Sequence, residues 1–179
     1  MTTTSGIKFP LQTNFLIFMQ KLNNANSSPF SVSLYYLQKK IGYNFQSVNL
    51  LRRAMTHSSY SEENNKALSI LGLSVIETSI SLHSLESDID ISSKDLSQKI
   101  KESSELDSCA NGGLKLGLQK IVRVSSKTDS STPAIVCGAF RAIFGAIAVD
   151  ANKADDAGNV FWYVNGKSTV DGGGRGFAF

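Results

Sequence analysis

The segment that decides the fold is Asn65–Ile76, which reads NKALSILGLSVI. Apolar residues recur in it every three or four positions, and the spacing continues as far as Leu85, which predicts one long helix with a broad apolar face. A glycine inside a helix costs about 1 kcal/mol relative to alanine. We therefore predict that a second helix crosses closely at Gly72.

The residues before this helix, Leu50–Tyr60, read LLRRAMTHSSY. Together the two segments resemble the first motif of the ribonuclease III domain family. That family typically runs Leu-Leu, two residues, Ala-Leu-Thr-His-x-Ser-Tyr, and later Asn-Glu-Arg-Leu-Glu-Phe-Leu-Gly-Asp-Ser-Val-Leu. The apolar frame is retained here, but the family's second glutamate falls on Ser69 and its aspartate on Leu73.

A second helix is predicted from about Pro133 to Asp150, where small and large residues alternate as close helix packing requires. The segment resembles the family's second motif, Asp-Ala-Phe-Glu-Ala-x-x-Gly-Ala-Ile-Tyr-Leu-Asp. The family's aspartate falls on Gly138 and its glutamate on Arg141.

In the family these four acids hold the metal ions that activate water and stabilise charge on the phosphate. Mg²⁺ binds through oxygen ligands. The leucine and glycine side chains supply no oxygen, and serine is a poor, neutral substitute. The positive charge of Arg141 would repel a cation. The resemblance therefore implies an inactive nuclease with no catalytic residue, no metal and no cofactor. Arg141 and the Ser69 hydroxyl could still hold a phosphate, or Arg141 could pair with an acid such as Glu77.

The resemblance covers roughly residues 30 to 164 and implies an all-α, ribonuclease III-like endonuclease-domain fold with the two motif helices at its centre. Helical spacing along the chain independently predicts an all-α domain. We expect a leader or disordered segment over residues 1–28, the domain over 29–166 and a flexible glycine-rich tail over 167–179.

Capping and turn signals predict the remaining elements. They are a first helix ending at Gly42, a helix from about Ser47 to His57, an N-cap at Ser93, a break at Asn111–Gly113, a short buried segment over Leu114–Val122 and a closing helix over Ala157–Val164.

The formal net charge is +3, and the residues before Glu62 contain six lysines and arginines but no acid. A basic amino-terminal third is compatible with RNA as a partner, although an ordinary solvated surface is the simpler explanation of the charge alone. The candidate RNA-binding residues are Arg52, Arg53, Lys127 and Arg141.

Several groups that could carry chemistry receive a structural interpretation. The two cysteines are too few for a disulfide scaffold and lack metal-ligand spacing, and Cys137 is expected to be a small buried hydrophobe. We expect His57 to be hydrogen-bonded near a helix end, and the acidic stretch Glu86–Ser93 to face solvent rather than a metal. No stretch approaches the roughly 18–20 apolar residues of a membrane span.

Residues 1–28 contain many hydroxyl side chains and no acid, which is typical of organelle transit peptides and favours a mitochondrial or plastid address. A secretory signal is the rival interpretation, and Asn26–Ser28 would then be a glycosylation acceptor. A leader without an address is the third.

Three functions remain open. The first is a non-catalytic cofactor that binds RNA, including double-stranded RNA, in RNA processing. The second is a protein-interaction domain in which Ile70 lies at a homodimer interface or at a heterodimer interface with a related domain. The third is an active double-stranded-RNA endonuclease that uses substitute acids such as Asp150 or Glu77.

Overall fold

In the computed structural model, which describes residues 28–166, the chain forms seven α-helices and no β-strand. The predicted leader or disordered segment over residues 1–28, apart from Ser28, and the predicted tail over residues 167–179 lie outside the described residues. The all-α prediction is confirmed. The helices are α1 Pro29–Ile41, α2 Val48–Ala54, α3 Lys66–Ser87, α4 Ser93–Ser104, α5 Leu106–Leu116, α6 Pro133–Ala151 and α7 Ala154–Val164, with a short 3₁₀ turn at Leu118–Lys120.

Helices α3 and α6 form the most extensive helix pair and cross where two glycines face each other. A β-carbon added at Gly72 would overlap the carbonyl oxygen of Arg141, and one added at Gly145 would overlap the carbonyl oxygen of Leu68. The predicted close crossing at Gly72 is confirmed. The broad apolar face is not buried throughout, because Leu71 is 39% exposed and Leu82 is 52% exposed.

By length and composition alone, α3 and α6 are each long and apolar enough to cross a membrane, contrary to our expectation that no segment approaches this limit. The fold buries 61% of the apolar window in α6 and 33% of that in α3. Both helices contribute to one buried cluster, which includes Val75 and Ile80 of α3 and Ile143 and Ile147 of α6.

Helix α2 ends at Ala54, three residues before the predicted end at His57. The chain leaves the helix to pair with a distant backbone segment. The N–H of His57 donates to the carbonyl of Arg123 at 2.9 Å, and the N–H of Arg123 donates to the carbonyl of Met55 at 2.9 Å. These bonds bring the segment after α2 beside the segment before α6.

The predicted break at Asn111–Gly113 is wrong, because these residues lie inside α5. A β-carbon at Gly112 would meet the ring of Phe140 at 2.8 Å, and one at Gly113 would meet Cγ1 of Val136 at 2.5 Å. The two glycines therefore allow α5 to approach α6 closely. The segment expected over Leu114–Val122 divides into the end of α5 and the 3₁₀ turn, and Leu114 is 43% exposed.

The expectation that the cysteines form no disulfide framework needs correction, because Cys109 of α5 and Cys137 of α6 form one disulfide. Their Cα atoms are 4.9 Å apart, and each residue is 2% exposed. Burial of Cys137 is confirmed. The bond adds a covalent link to the interface between α5 and α6.

The other boundaries lie close to their predicted positions. Helix α1 is followed by Gly42, whose φ of 69° is in the left-handed region that favours glycine at a helix end. The N-cap of α4 is Ser92 rather than Ser93, and its hydroxyl accepts the N–H of Asp95 at 3.1 Å. Helix α7 begins at Ala154, three residues earlier than predicted.

The carboxylate of Asp150 holds the turn between α1 and α2 against the end of α6. One oxygen accepts the hydroxyl of Tyr43 at 3.0 Å and the N–H of Gln46 at 2.8 Å, and the other accepts the N–H of Ser47 at 2.8 Å. Hydrogen bonds to a charged group are stronger than those between neutral groups. Asp150 therefore stabilises the position of the α1–α2 turn at the end of α6.

Tyr43 gives this contact a measurable pH dependence. Burial, the hydrogen bond to Asp150 and the charges of Asp150 and Asp156 raise the pKa of Tyr43 from 10.0 to about 12. Because the pKa is higher in the folded state than in the unfolded chain, the neutral phenol of Tyr43 stabilises the fold. This stabilisation is fully present below pH 10 and is lost as the pH rises towards 12. We expect the phenolate absorbance of the folded chain to show one late-titrating tyrosine that the Tyr43→Phe variant lacks. Identical titration curves for the two proteins would contradict the assignment.

Candidate functional site

The four positions at which the family motif carries acids lie on the two central helices, Ser69 and Leu73 on α3 and Gly138 and Arg141 on α6. All four are half-buried. The crossing at Gly72 brings α3 against the backbone of Arg141, so the segments carrying these positions are neighbours. A β-carbon at Gly138 would meet no atom within 4 Å, so the space beside that residue is open.

Arg141 points to the junction between α4 and α5. Its Nη2 donates to the carbonyl oxygen of Ser104, and its Nε is buried without a hydrogen-bond partner among the described residues. Burial lowers the pKa of Arg141, and the charge of Glu77 acts in the opposite direction. The direct ion pair that we considered with Glu77 is absent, because within residues 28–166 the side-chain ion pair found is Lys101–Glu105 at 3.8 Å. Arg141 thus ties α6 to the α4–α5 junction.

The residues present do not fit a divalent cation. Within the described part of the chain, no three His, Cys, Asp or Glu side chains gather closely enough to hold a metal ion. The acidic stretch Glu86–Ser93 is almost entirely exposed, as predicted. Asp150 is engaged through both oxygens with the α1–α2 turn, so it is not free to replace a lost ligand.

A different set of residues is gathered beside the paired backbone after α2, and we call Phe30, Arg52, Tyr60 and Arg123 the arginine cluster. The Arg123 guanidinium lies 4.2 Å from the centre of the Phe30 ring and 4.7 Å from that of the Tyr60 ring. The Arg52 guanidinium lies 5.4 Å from the centre of the Phe30 ring. Such contacts between a cation and a ring are attractive. Sequence reasoning missed Arg123, because it lies 63 positions from Tyr60 and no local pattern marks it.

The other two candidate cations are exposed. Arg53 lies on α2, where its Nε donates to the carbonyl of Asn64 at 3.1 Å, and Lys127 lies in the loop before α6. Arg52, by contrast, is half-buried against Phe30. The structure therefore brings Arg52 into the arginine cluster and leaves Arg53 and Lys127 in solvent.

His57 is held by hydrogen bonds, as expected. Its Nδ1 accepts the N–H of Ser59 at 3.1 Å and lies 2.9 Å from the Ser59 hydroxyl, which in turn accepts the N–H of Ser125 at 3.1 Å. Because Nδ1 is an acceptor, the hydrogen-bond geometry assigns the proton of the neutral ring to Nε2. Burial and, to a smaller extent, the charge of Lys66 lower the pKa of His57 below 6.5.

The surface of α3 near the replaced positions carries apolar side chains. Ile70, the candidate interface residue, is 71% exposed, and the neighbouring Leu71 is 39% exposed. Among the aromatic residues of α7, Phe161 and Trp162 are buried, whereas Tyr163 is 59% exposed. Ile70 and Leu71 are thus exposed apolar side chains of α3 close to the replaced positions.

The comparisons with known proteins agree with one another on the family. A family model described as "Ribonuclease-III-like" matches residues 47–161. Protein NUCLEAR FUSION DEFECTIVE 2 of Arabidopsis thaliana is 60% identical over 141 residues, which cover 78% of this chain and 74% of that protein. Ribonuclease 3 of Blochmanniella floridana is 33% identical over 146 residues, which cover 74% of this chain and 59% of that enzyme. The match to the bacterial enzyme thus spans less than two thirds of its length.

Solved structures agree with the sequence comparison. The nuclease domain of ribonuclease III from Campylobacter jejuni superimposes with a TM-score of 0.70 at 25% identity. The match covers 74% of this chain and 96% of that domain. From the two motifs, the helical architecture and these similarities, we conclude that the chain belongs to the ribonuclease III-like family.

Proposed function

We propose that this chain is a catalytically inactive ribonuclease III-like protein that binds RNA and acts as a cofactor in RNA processing. The observation that carries the proposal is the state of Arg141. At a position where the family motif has a metal-binding glutamate, a cation is turned inward and donates to the Ser104 carbonyl. Nucleic-acid hydrolysis by metal ions needs several converging carboxylates, and all four motif acids are replaced.

Cations on another part of the surface support RNA binding. Arg53 and Lys127 are exposed, and Arg52 and Arg123 lie in the arginine cluster. Contacts from arginine and lysine to phosphates supply most of the sequence-independent affinity for nucleic acids. Because Arg141 is engaged inside the domain, we exclude it from the RNA-binding set.

The proposal includes a biological setting. The name of the Arabidopsis relative refers to nuclear fusion, and we extend a link with nuclear fusion to this chain on the basis of the 60% identity. The acid-free composition of residues 1–28 supports import into a mitochondrion or plastid.

A second function, a protein-interaction domain, is favoured by the exposure of Ile70 and Leu71 on α3. The Campylobacter jejuni nuclease domain is described as having structural flexibility in a region involved in dimer formation. An apolar contact between two related domains, in a homodimer or a heterodimer, would cover these side chains. The third function, an active endonuclease, has the least support, because Asp150 is engaged in the fold.

The experiment mixes the full chain with a double-stranded RNA, with and without Mg²⁺, across a salt series. We expect binding without cleavage, and affinity that falls as salt rises because phosphate contacts release counterions. The Arg53→Ala/Lys127→Ala double variant should lower the slope of log affinity against log salt by about 2, one for each lost contact. The matched control is Lys94→Ala/Lys99→Ala, which removes two exposed lysines of α4.

Each other outcome decides against part of the proposal. Mg²⁺-dependent cleavage by the purified chain would show that the replaced acids are not needed. Absence of any RNA binding would favour the second function, a protein-interaction domain. In that case Ile70→Asp should abolish the dimer that light scattering detects for the wild-type chain. Equal salt slopes for the double variant and its control would remove Arg53 and Lys127 from the RNA-binding surface.

A further inference from the structure

The aromatic ring of Tyr60 is exposed to solvent and lies against a positive charge. The residue is 52% exposed, and the guanidinium of Arg123 lies 4.7 Å from the ring centre. The same guanidinium lies 4.2 Å from the centre of the Phe30 ring. The Arg123 guanidinium therefore contacts two aromatic rings, and Tyr60 is the more exposed of the two.

Hydrogen bonds hold the Arg123 guanidinium in place. Nη2 of Arg123 donates to the hydroxyl of Thr56 at 2.6 Å, and that hydroxyl donates to the carbonyl of Arg52 at 2.7 Å. Thr56 is 1% exposed, so this anchor is inside the domain. The N–H of Tyr60 donates to the carbonyl of His57 at 2.9 Å, which fixes the backbone beneath the ring. A ring fixed before binding loses little conformational freedom when a ligand arrives.

The charges around the ring suit a polyanion. Exposed Arg53 and Lys66 lie near this turn, since Arg53 donates to the carbonyl of Asn64, and the N–H of Asn65, next to Lys66, donates to the carbonyl of Thr56. The same turn carries exposed Glu62 and Glu63. The four cations Arg52, Arg53, Lys66 and Arg123 outnumber these two acids, so the surface keeps a positive balance.

We propose that Tyr60 is a stacking platform for an unpaired nucleobase, and that the RNA ligand of this chain contains a single-stranded segment. The inference rests on the proposed function and specifies the form of RNA. Aromatic rings bind unpaired bases by stacking, whereas bases within a duplex are already stacked on one another and present only their edges and phosphates. Arg53 and Lys66 would bind the phosphates on either side of the stacked base.

The test uses the full 179-residue chain and two probes, a short single-stranded oligoribonucleotide containing 2-aminopurine and a blunt RNA duplex. Tyr60→Ala should weaken binding of the single strand about 5- to 150-fold, which is the range for loss of one base–aromatic stack. Tyr60→Phe keeps the ring and should retain the affinity, and duplex binding should not change. The matched control is Tyr36→Ala, which removes a tyrosine that is 67% exposed but lies against Tyr35 rather than a guanidinium.

Quenching of 2-aminopurine fluorescence gives a second readout, which Tyr60→Phe should retain because it keeps the ring. Strong quenching, lost in Tyr60→Ala, supports the platform. Unchanged single-strand affinity in Tyr60→Ala, or a wild-type chain that binds only the duplex, overturns the inference and leaves the proposed function standing. A wild-type chain that binds neither probe overturns both.

Discussion

Replacing Gly145 by alanine is expected to lower the free energy of unfolding by about 3 kcal/mol or more, as overpacking of a tight contact does. The added β-carbon would overlap the carbonyl oxygen of Leu68 and lie 3.0 Å from the backbone nitrogen of Gly72. Both contacts are with backbone atoms of a helix, so no side-chain rotation can relieve them. The two central helices would have to move apart.

Gly138 provides a control on the same helix. Its added β-carbon would meet nothing within 4 Å, so Gly138→Ala should stabilise the chain by about 1 kcal/mol through helix propensity alone. Urea unfolding followed by circular dichroism would measure both variants. If Gly145→Ala were as stable as Gly138→Ala, the close crossing of α3 and α6 would be wrong.

Gly72, which faces Gly145 at this crossing, shows what could be predicted from the sequence. Gly72 interrupts a strong helical pattern, and only a close helix contact explains a residue that weakens its own helix. Gly112 and Gly113 carry the opposite local signal, because two adjacent glycines ordinarily mark a turn. Tertiary packing overrides that local signal, because α5 needs both glycines to approach Phe140 and Val136.

The candidate site was predictable only where its residues fall within a motif. Ser69, Leu73, Gly138 and Arg141 could be placed by their position in the motifs, so the loss of acids was visible from the sequence. The hydrogen bond from Arg141 to Ser104 was not, because 37 residues separate the partners. The contact of Arg123 with the Tyr60 ring likewise depends on the backbone pairing of Thr56 with Arg123, for which the sequence carries no pattern.

The disulfide supports the second large prediction, that its removal destabilises the fold by about 3–4 kcal/mol at room temperature. Cys109 and Cys137 are 28 residues apart, and a cross-link over such a loop restricts the unfolded chain much more than the folded one. In the folded state α5 and α6 are already packed together at this point. The Cys109→Ser/Cys137→Ser double variant and the reduced wild-type chain should therefore fold to the same structure with lower stability.

The measurement is urea unfolding of the wild-type chain and the double variant, each with and without a thiol reductant. Only the wild-type chain should respond to the reductant, and it should respond slowly, because each cysteine is 2% exposed and the bond is reached when the helices open. If the wild-type chain were equally stable with and without reductant, and had two titratable thiols under both conditions, the disulfide would not form. Disulfides persist in oxidising compartments, whereas reducing compartments keep thiols free. The stability of this domain therefore depends on the compartment in which it folds.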